Sequence, residues 1–239
     1  MNILITGGAS GLGQAITSHL AAGHQHYIYF TYNNSAENAA VLEKQFTNAK
    51  ALRCDFLNTA EVSQLAESLA DLQIDVLINN AMTGFTQNHF HKLEPAYFAD
   101  SFNKNVLPVI TITQAAIKHF RKKKSGKIIT ILSAAIVGNP PVGWSEYVAV
   151  KSYLLALNKS WATENAAFNI TANCISPSFM QTALTSGTDE RMVEDMRAKH
   201  PLKKLLTVEE TASAVGSLVE AGHHINGINV VLNAAQNVI

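Results

Sequence analysis

A short apolar strand, a glycine-rich turn and a helix open the chain, and this combination restricts the fold more than any other feature. The strand is Met1-Asn-Ile-Leu-Ile5, and the turn is Thr6-Gly-Gly-Ala-Ser-Gly-Leu-Gly13. Gly7 permits a tight turn, Gly11 lets a pyrophosphate approach the backbone, and Gly13 lets the helix pack closely. Glycines also occur in ordinary turns. Their position between a strand and a helix, whose free N–H groups attract anions, predicts a dinucleotide site.

The predicted second strand, residues 27–32, ends in neutral residues where the adenosine ribose of a dinucleotide should lie. An acidic residue at this place would bind the 2′-hydroxyl of NAD and repel the 2′-phosphate of NADP. The segment Thr31-Tyr-Asn-Asn-Ser35 contains no acidic residue, and Ser10 in the glycine turn is not basic. The sequence therefore favours NADP(H). NAD(H) remains an alternative, because no arginine or lysine is placed to hold the phosphate.

Apolar runs alternate with helical patterns along the rest of the chain. Further strands are predicted at residues 51–55, 76–79, 127–132, 170–175 and 227–232, and helices at 61–69, 97–122, 147–165 and 208–219. Strands that alternate with helices pair in parallel through right-handed crossovers, and helices cover both faces of the sheet. We therefore predict an α/β protein with one domain over residues 1–239. Its fold would be a doubly wound Rossmann fold with a mostly parallel sheet of about seven strands.

Tyr147 and Lys151 stand one helical turn apart in Ser145-Glu-Tyr-Val-Ala-Val-Lys151, so their side chains should share one face of a helix. A neighbouring ammonium group favours the phenolate, so a tyrosine with an ordinary pKa of about 10 would exchange its proton nearer neutrality. The same spacing also arises by chance, as an exposed tyrosine beside a solvated lysine. The pair gains weight because a predicted dinucleotide site precedes it in the chain.

With its elements in this order, the chain closely resembles the short-chain dehydrogenase/reductase family over almost its whole length. The cofactor turn of that family is matched by residues 6–13, and its sheet-stabilising segment by Asn79-Asn-Ala81. Its adenine-contacting acid is matched by Asp55. The catalytic tetrad of the family is matched by Asn105, Ser133, Tyr147 and Lys151. The resemblance and the glycine turn together predict that the cofactor is bound by Gly7, Ser10, Gly11, Leu12, Gly13, Thr31, Asp55, Phe56, Asn79, Ala81, Tyr147, Lys151, Pro177 and Thr182.

The resemblance implies hydride transfer between a nicotinamide cofactor and a ketone or secondary alcohol, with Tyr147 exchanging a proton with the substrate oxygen. Lys151 would lower the pKa of Tyr147 and bind the nicotinamide ribose. Ser133 would hold the carbonyl oxygen, and Asn105 would order a water that links Lys151 to solvent. Ser133 could instead be a turn residue at a strand end, and Asn105 an amide that satisfies a helix.

Within the family, Gly126-Lys-Ile-Ile-Thr-Ile131 and residues 201–210 resemble the 3-oxoacyl-(acyl-carrier-protein) reductases. The basic run Arg121-Lys-Lys-Lys124, with Lys127, would then dock an acidic acyl carrier protein, or it is simply a solvated helix end. The resembled reductases have a second basic residue before the sixth strand, where this chain has Phe168. A sugar, polyol or other small ketone is the alternative substrate. A dinucleotide-binding regulatory protein without turnover is the alternative class.

Four departures from the family pattern leave the shape of the substrate open. Met82 stands where the family usually has glycine, and it either narrows the pocket near the nicotinamide or repacks the turn. Ser178 replaces another glycine, and Ala234-Ala235 replace a terminal Gly-Gly. The segment 134–146 is also slightly longer than in the carrier-protein reductases. None of these departures removes a catalytic group.

Composition argues against several other classes of protein. The formal net charge is zero, which disfavours a nucleic-acid or anionic-membrane surface. The first strand begins at Met1 and no apolar run is long enough to span a bilayer, so we expect a cytoplasmic protein without a signal peptide. Cys54 and Cys174 are expected to be buried free thiols. The histidines at 24–26, 89–91 and 223–224 have no cysteine or carboxylate at ligand spacing, so we predict no metal site.

Two further expectations concern the surface. Residues 182–204, which contain Thr185-Ser-Gly-Thr188 and a charged helical pattern, should form a mobile lid over the substrate. The resemblance implies a homotetramer, or a dimer, built on the helices around 105–122 and 147–165. Apolar residues of the second helix exceed what one buried stripe needs, which is consistent with such an interface.

Overall fold

The computed structural model describes residues 1–84, 86–182, 185 and 187–238. Its strands are β1 (Asn2–Ile5), β2 (Tyr27–Tyr32), β3 (Ala49–Arg53), β4 (Val76–Asn79), β5 (Gly126–Ile131), β6 (Ile170–Pro177) and β7 (Asn229–Leu232). Within the described residues these seven strands form one sheet in the order β3-β2-β1-β4-β5-β6-β7, and every pairing is parallel. The predicted doubly wound α/β fold is confirmed, and the sheet is wholly parallel rather than mostly so.

Helices connect successive strands. They are α1 (Gly11–Ala22), α2 (Ala36–Gln45), α3 (Thr59–Ser68), α4 (Pro95–Asn105), α5 (Leu107–Lys123), α6 (Ser145–Asn165), α7 (Glu190–Lys199) and α8 (Val208–Glu220). Short 3-10 turns lie at Phe90–Lys92, Ala134–Ile136 and Ala166–Phe168. No helix in the described part of the chain is long and apolar enough to cross a membrane.

Both faces of the sheet are covered, as the unbroken apolar strands require. In β1, Ile3 and Ile5 join a core that includes residues of α1 and α8, whereas Leu4 joins a second core with residues of α3, α5 and α6. All residues of β6 are buried. Because side chains alternate between the faces of a strand, the central strands stabilise two cores at once.

Two helices differ from the sequence expectation. The region 97–122, predicted as one helix, is divided into α4 and α5 at Val106. Pro108 lies in the first turn of α5, where its missing N–H is tolerated, but it could not donate to the preceding turn of a continuous helix. Helix α2 was not predicted, because it is short and buries only Ala39 and Leu42.

The fold brings the predicted functional segments to one edge of the sheet. The order of strands reverses between β1 and β4, and in such sheets ligands bind in the crevice outside the carboxyl ends of the strands at this point. The glycine turn follows β1, residues 80–84 follow β4, and Ser133 follows β5. The functional site is therefore expected at this crevice.

Candidate active site

A cavity of about 710 Å³ opens at the crevice. Its wall includes most of the residues that the sequence predicts for the site. These are Gly7, Ser10, Gly11, Leu12, Gly13, Thr31, Asp55, Phe56, Ala81, Ser133, Tyr147, Lys151, Pro177 and Thr182. Two predicted residues, Asn79 and Asn105, do not belong to the wall.

The glycine turn has the shape of an anion cradle. Gly7 and Gly11 have φ angles of 66° and 51°, a region that side chains disfavour. A Cβ on Gly13 would lie 2.0 Å from the carbonyl oxygen of Gly7, whereas the space beside Gly11 is open as far as Thr182. Ser10 precedes α1 and makes no capping hydrogen bond with its side chain. The first N–H groups of α1 have no intrahelical acceptor, so the turn fits a pyrophosphate.

Asn80 fixes the glycine turn to the loop after β4. The Thr6 hydroxyl oxygen accepts hydrogen bonds from the N–H groups of Asn80 and Ala81, each 3.0 Å long. The Asn80 amide donates to the carbonyl oxygens of Thr6 and Gly7 at 3.0 and 3.2 Å. Asn80 also lines the cavity. Asn80 is not among the residues that the sequence predicts to contact the cofactor.

Asn79 is placed differently from its prediction as a cofactor contact. Its side chain is 3% exposed and donates to the Thr113 hydroxyl of α5 at 3.0 Å. Successive side chains of a strand point to opposite faces, so Asn79 faces the helices and the next residue reaches the cavity. The alternation of β4 is the sequence signal that distinguishes the two asparagines.

The end of β2 forms a neutral part of the wall. Thr31 is 1% exposed, and its hydroxyl and carbonyl oxygens accept hydrogen bonds of 2.8 Å from the N–H groups of Gly7 and Gly8, respectively. Thr31 therefore holds the turn. The side chains beyond it, residues 32–35, line the cavity. Among the described residues of the wall, Asp55 is the only acidic residue, and Lys151 the only lysine or arginine.

Ser133, Tyr147 and Lys151 come together at the centre of the cavity wall. The side chains of Tyr147 and Ser133 are joined by a hydrogen bond. The Lys151 Nζ donates to the Ile131 carbonyl oxygen at 2.8 Å and lies 5.8 Å from the centroid of the Tyr147 ring. The Ser133 Oγ also accepts from the Ala135 N–H at 3.1 Å. A phenol, a hydroxyl and an amine thus face one space.

Burial controls the acid–base properties of this group. Burial raises the pKa of Tyr147, and the hydrogen bond from Ser133 only partly opposes this. Burial lowers the pKa of Lys151 to about 8. The net shift of the Tyr147 pKa is upward, because desolvation of the phenolate outweighs the effects that favour it. The predicted effect of Lys151 on this pKa stays a prediction.

Asn105 lies behind Thr83 and does not line the cavity. It is the last residue of α4, is 4% exposed, and accepts hydrogen bonds of 2.8 Å from both the N–H and the hydroxyl of Thr83. Its amide donates to the Ser101 hydroxyl at 3.3 Å. The side chain thus holds the loop after β4. Its predicted role in a water link to Lys151 remains a prediction.

The cavity wall also includes residues to which the sequence assigned no individual role. The segment 182–204, the predicted lid, contributes Met196 and His200, while residues 183, 184 and 186 lie outside the described residues. His200 is 6% exposed, and its Nδ1 accepts from the Leu202 N–H at 3.2 Å, so Nε2 is the protonated nitrogen of the neutral ring. Met82, for which the sequence predicted either a narrower pocket or a repacked turn, also lines the cavity.

The C-terminal tail forms another part of the cavity wall. Ala234 and Ala235 have φ angles of 49° and 61°, a left-handed conformation in which alanine is strained. The Asn233 side chain accepts from the Ala235 N–H at 3.1 Å and donates to the Asn237 carbonyl oxygen at 2.9 Å. This turn brings Gln236 and Asn237 into the wall of the cavity.

Most of the predicted docking run has internal partners. Lys127 donates to the carbonyl oxygens at the end of α8, and Arg121 lies 4.3 Å above the Phe168 ring. Lys123 forms an ion pair with Asp75. The remaining two lysines of the run are exposed. The side chain at 168 therefore serves as a partner for arginine.

The histidines and cysteines were the other residues considered for a metal site or a reactive thiol. Within the described residues no group of three or more histidine, cysteine or acidic side chains could hold a metal ion. Cys54 and Cys174 are buried free thiols, as expected. Burial raises their pKa values to about 11 and about 12, so neither is a reactive thiolate near neutral pH.

The parallel sheet, the anion cradle and the Ser133–Tyr147–Lys151 group define a dinucleotide-dependent oxidoreductase of the Rossmann type. The family described as "short chain dehydrogenase" matches residues 1–192. The chain belongs to this family, and it is an oxidoreductase that acts on ketone or CH–OH groups with NAD(P).

Curated relatives match nearly the whole chain. Nodulation protein G of Rhizobium sp. (strain N33) is 31% identical over 237 residues, which cover 94% of this chain and 94% of that protein. The 3-oxoacyl-(acyl-carrier-protein) reductase FabG of Escherichia coli (strain K12) is also 31% identical over 237 residues, covering 94% of this chain and 95% of the reductase.

Solved structures share the fold. A short chain dehydrogenase from Burkholderia cenocepacia J2315 in complex with NADP has a TM-score of 0.86 and 26% identity, covering 99% of this chain and 97% of that chain. A 3-ketoacyl-(acyl-carrier-protein) reductase from Brucella melitensis complexed with NADH has a TM-score of 0.89 at 23% identity, covering 99% and 98%. The second likeness concerns the fold alone.

Proposed function

We propose that this protein reduces a 3-oxoacyl thioester with NADPH and that Tyr147 donates the proton. The observation that carries the proposal is the hydrogen-bonded pair of Tyr147 and Ser133 in the cavity wall, with Lys151 beside the phenol ring. The substrate class is supported by the relatives named 3-oxoacyl-(acyl-carrier-protein) reductase. The relatives named Nodulation protein G carry no substrate in their name.

In the proposed reaction, Ser133 and Tyr147 both hydrogen-bond the oxygen of the substrate ketone. A nicotinamide cofactor, when bound, would provide the hydride for the carbonyl carbon. As charge develops on the oxygen, the Tyr147 hydroxyl transfers its proton there, and the Ser133 hydroxyl stabilises the same atom. The raised pKa of Tyr147 keeps the phenol protonated near neutrality, which suits a proton donor in the direction of reduction.

Lys151 has two proposed tasks. Its ammonium would bind the hydroxyls of the nicotinamide ribose, and its positive charge would stabilise the phenolate that remains on Tyr147 after proton transfer. The hydrogen bond to the Ile131 carbonyl oxygen orients the amine for both tasks. Asn105 supports the site from behind the cavity wall by holding Thr83.

The preference for NADPH rests on the neutral end of β2. Asn33, Asn34 and Ser35 line the cavity there, and no carboxylate among them repels a 2′-phosphate. Their amide and hydroxyl groups can donate hydrogen bonds to the phosphate. NADH is the alternative, because no arginine or lysine among the described residues of the wall stands at this end.

The part of the cavity wall formed by Met180, Met196 and Leu205 fits an uncharged substrate. Met180, Met196 and Leu205 provide apolar surface for an acyl chain. Apart from Lys151, no lysine or arginine lines the described part of the wall, so a free carboxylate or phosphate on the substrate would have no second cation. A thioester with a neutral arm meets both conditions.

A keto sugar or polyol is the second candidate substrate. The observation that favours it is the group of carboxamides formed by Asn139, Gln236 and Asn237 in the wall of the cavity. Amides can donate and accept hydrogen bonds, and they therefore suit a ligand with several hydroxyl groups.

Oxidation of NADPH and NADH, followed by absorbance, tests these proposals directly. We expect turnover with 3-oxoacyl thioesters on N-acetylcysteamine or coenzyme A, and at least about tenfold lower kcat/KM with keto sugars. The Tyr147→Phe variant is the control for contaminating reductases. A preference for keto sugars would replace the thioester proposal, and no turnover with any ketone would favour a dinucleotide-binding regulatory protein.

Docking of an acyl carrier protein is a separate proposal. It would use Lys122 and Lys124, the exposed lysines of the basic run. Charge reversal of both should raise the KM for a carrier-bound substrate and leave the KM for the same acyl group on N-acetylcysteamine unchanged. Equal effects on both substrates would exclude docking at this run.

A homotetramer, or a dimer, is proposed on the faces of α5 and α6. Leu107 at the start of α5 and Tyr153 on α6 are 43% and 44% exposed, and the Tyr153 ring packs edge-on against Phe102. Exposed apolar side chains on adjacent helices are suited to association. Light scattering would measure the mass, and Tyr153→Glu should shift it toward the monomer.

A further inference from the structure

Glu146 is a buried carboxyl group that the proposed reaction does not use. It stands in α6 directly before Tyr147 and is 2% exposed. The Ser101 hydroxyl of α4 donates a hydrogen bond to its Oε1. Its Oε2 is inaccessible to solvent and has no hydrogen-bond partner among the described residues. A group placed in this way is costly to bury, so its role needs a physical reason.

Hydrogen bonds connect Glu146 to the loop after β4. The Ser101 hydroxyl has one proton, which it gives to Glu146, so its oxygen accepts from the Asn105 amide at 3.3 Å. The Asn105 oxygen in turn accepts two hydrogen bonds of 2.8 Å from Thr83. The chain Glu146–Ser101–Asn105–Thr83 thus joins α6, α4 and this loop. Thr83 lines the cavity.

Among the described residues, no positively charged group is found to compensate a carboxylate at this place. The charged side chains of α4, Asp100 and Lys104, pair with each other at the surface. On α6, Lys151 directs its amine to a backbone carbonyl of β5, and Tyr147 is the titratable neighbour. Burial raises the pKa of Glu146, and the hydrogen bond from Ser101 only partly opposes this. These surroundings favour a neutral carboxylic acid.

We propose that Glu146 is a positioning residue that acts as a neutral acid and holds Asn105 and the Thr83 loop in place through Ser101. The loop follows β4, and Thr83 lines the same cavity as Tyr147, so the position of the loop affects how a substrate meets the phenol. The proposal rests on the proposed catalytic role of Tyr147. It adds a residue that touches neither substrate nor cofactor.

A consequence for stability separates the neutral acid from a carboxylate. The pKa of Glu146 in the folded protein lies above its ordinary value of 4.5, so the unfolded protein loses this proton first as the pH rises. Its contribution to stability is therefore present below pH 4.5 and is lost as the pH rises through the folded pKa. The change does not depend on any activity.

The test compares Glu146→Gln with Glu146→Ala and Ser101→Ala. Glutamine keeps the oxygen that accepts from Ser101, so kcat should stay within about twofold of wild type. Alanine at 146 or at 101 interrupts the series of hydrogen bonds from Glu146 to Thr83. It should lower kcat by about tenfold or more, because the loop is then misplaced. Glu164→Gln, on the exposed surface of the same helix, is the matched control. It should change neither kcat nor the pH dependence of stability.

The second readout is denaturant unfolding between pH 4.5 and pH 8. The loss of stability that Glu146 causes in this range should be absent in Glu146→Gln and present in the Glu164→Gln control. A Glu146→Gln variant that loses activity as severely as Glu146→Ala, or that keeps the pH dependence of wild type, would overturn the neutral-acid proposal. An unchanged kcat in Ser101→Ala would show that these hydrogen bonds do not position the Thr83 loop.

The same experiments distinguish a failure of the Glu146 proposal from a failure of the proposed role of Tyr147. If Tyr147→Phe kept a large share of the activity, the proposed function would fail, whereas the unfolding measurement on Glu146→Gln would still decide the state of the carboxyl group. If Glu146→Ala does not fold, Ser101→Ala carries the kinetic test, because it removes one hydroxyl and retains the buried carboxyl group.

Discussion

The Lys151 Nζ donates a hydrogen bond of 2.8 Å to the carbonyl oxygen of Ile131, at the end of β5. This contact holds the amine under the cavity, where burial lowers its pKa to about 8. A lysine with this pKa changes its charge within the pH range of ordinary assays. The protonation of Lys151 can therefore be followed through the pH dependence of cofactor binding.

Binding of NADPH should weaken as the pH rises through about 8, because Lys151 then loses the charge that binds the ribose. Fluorescence titration of NADPH between pH 6.5 and 9.5, an assay range chosen around that pKa, would measure this. Lys151→Met should bind more weakly at every pH and show no such slope. A wild-type affinity that stays constant across the range would contradict the prediction.

Tyr147→Phe should lower kcat by about a hundredfold to ten-thousandfold, since the ring still packs but the proton donor is gone. Affinity for the cofactor should change little. Tyr153→Phe removes a hydroxyl outside the cavity on the same helix and keeps the ring that packs against Phe102, so it serves as the control and should keep its activity. Retention of a large share of the rate by Tyr147→Phe would end the assignment of this residue as the donor.

Asn33→Asp should weaken NADPH binding much more than NADH binding, because a carboxylate would face the 2′-phosphate. Asn33 is the better position for this test than Thr31, whose hydroxyl accepts from the Gly7 N–H. Thr31→Val should instead weaken both cofactors together and lower the unfolding free energy by about 1–3 kcal/mol, since that N–H loses its acceptor. Equal losses in Asn33→Asp would mean that the ribose lies elsewhere.

Ala234→Gly should raise the unfolding free energy by about 1 kcal/mol, because glycine adopts the left-handed conformation without strain. Ala40→Gly provides a control of opposite sign. Ala40 is exposed in α2, where glycine should cost about 1 kcal/mol. Urea unfolding of the three proteins gives both values, and a destabilised Ala234→Gly variant would show that the turn relaxes in solution.

The sequence predicted those parts of the site whose chemistry depends on local spacing. The glycine turn between a strand and a helix, and the one-turn separation of Tyr147 and Lys151, are properties of short segments. The family resemblance then pointed to Ser133. These residues meet in one cavity because parallel strands end at one edge of the sheet.

Properties that depend on distant contacts could not be predicted in this way. Asn237 reaches the cavity through the fold of the tail, and its amide lies 3.5 Å from the carbonyl oxygen of Val137, 100 residues earlier. The pKa of Tyr147 is raised because tertiary packing buries the phenol. Helix α2 was missed because its few buried side chains give almost no apolar pattern.

The strained turn at Ala234 and Ala235 has a consequence for how this protein could diverge. The tail beyond it is exposed and is held by a few hydrogen bonds, so its local opening requires far less free energy than unfolding of the sheet. Substitutions at Gln236 or Asn237 would reshape the cavity while both cores stay intact. Duplicated copies of such a gene could acquire new substrates through changes in these last residues, with the catalytic residues and the cofactor site unchanged.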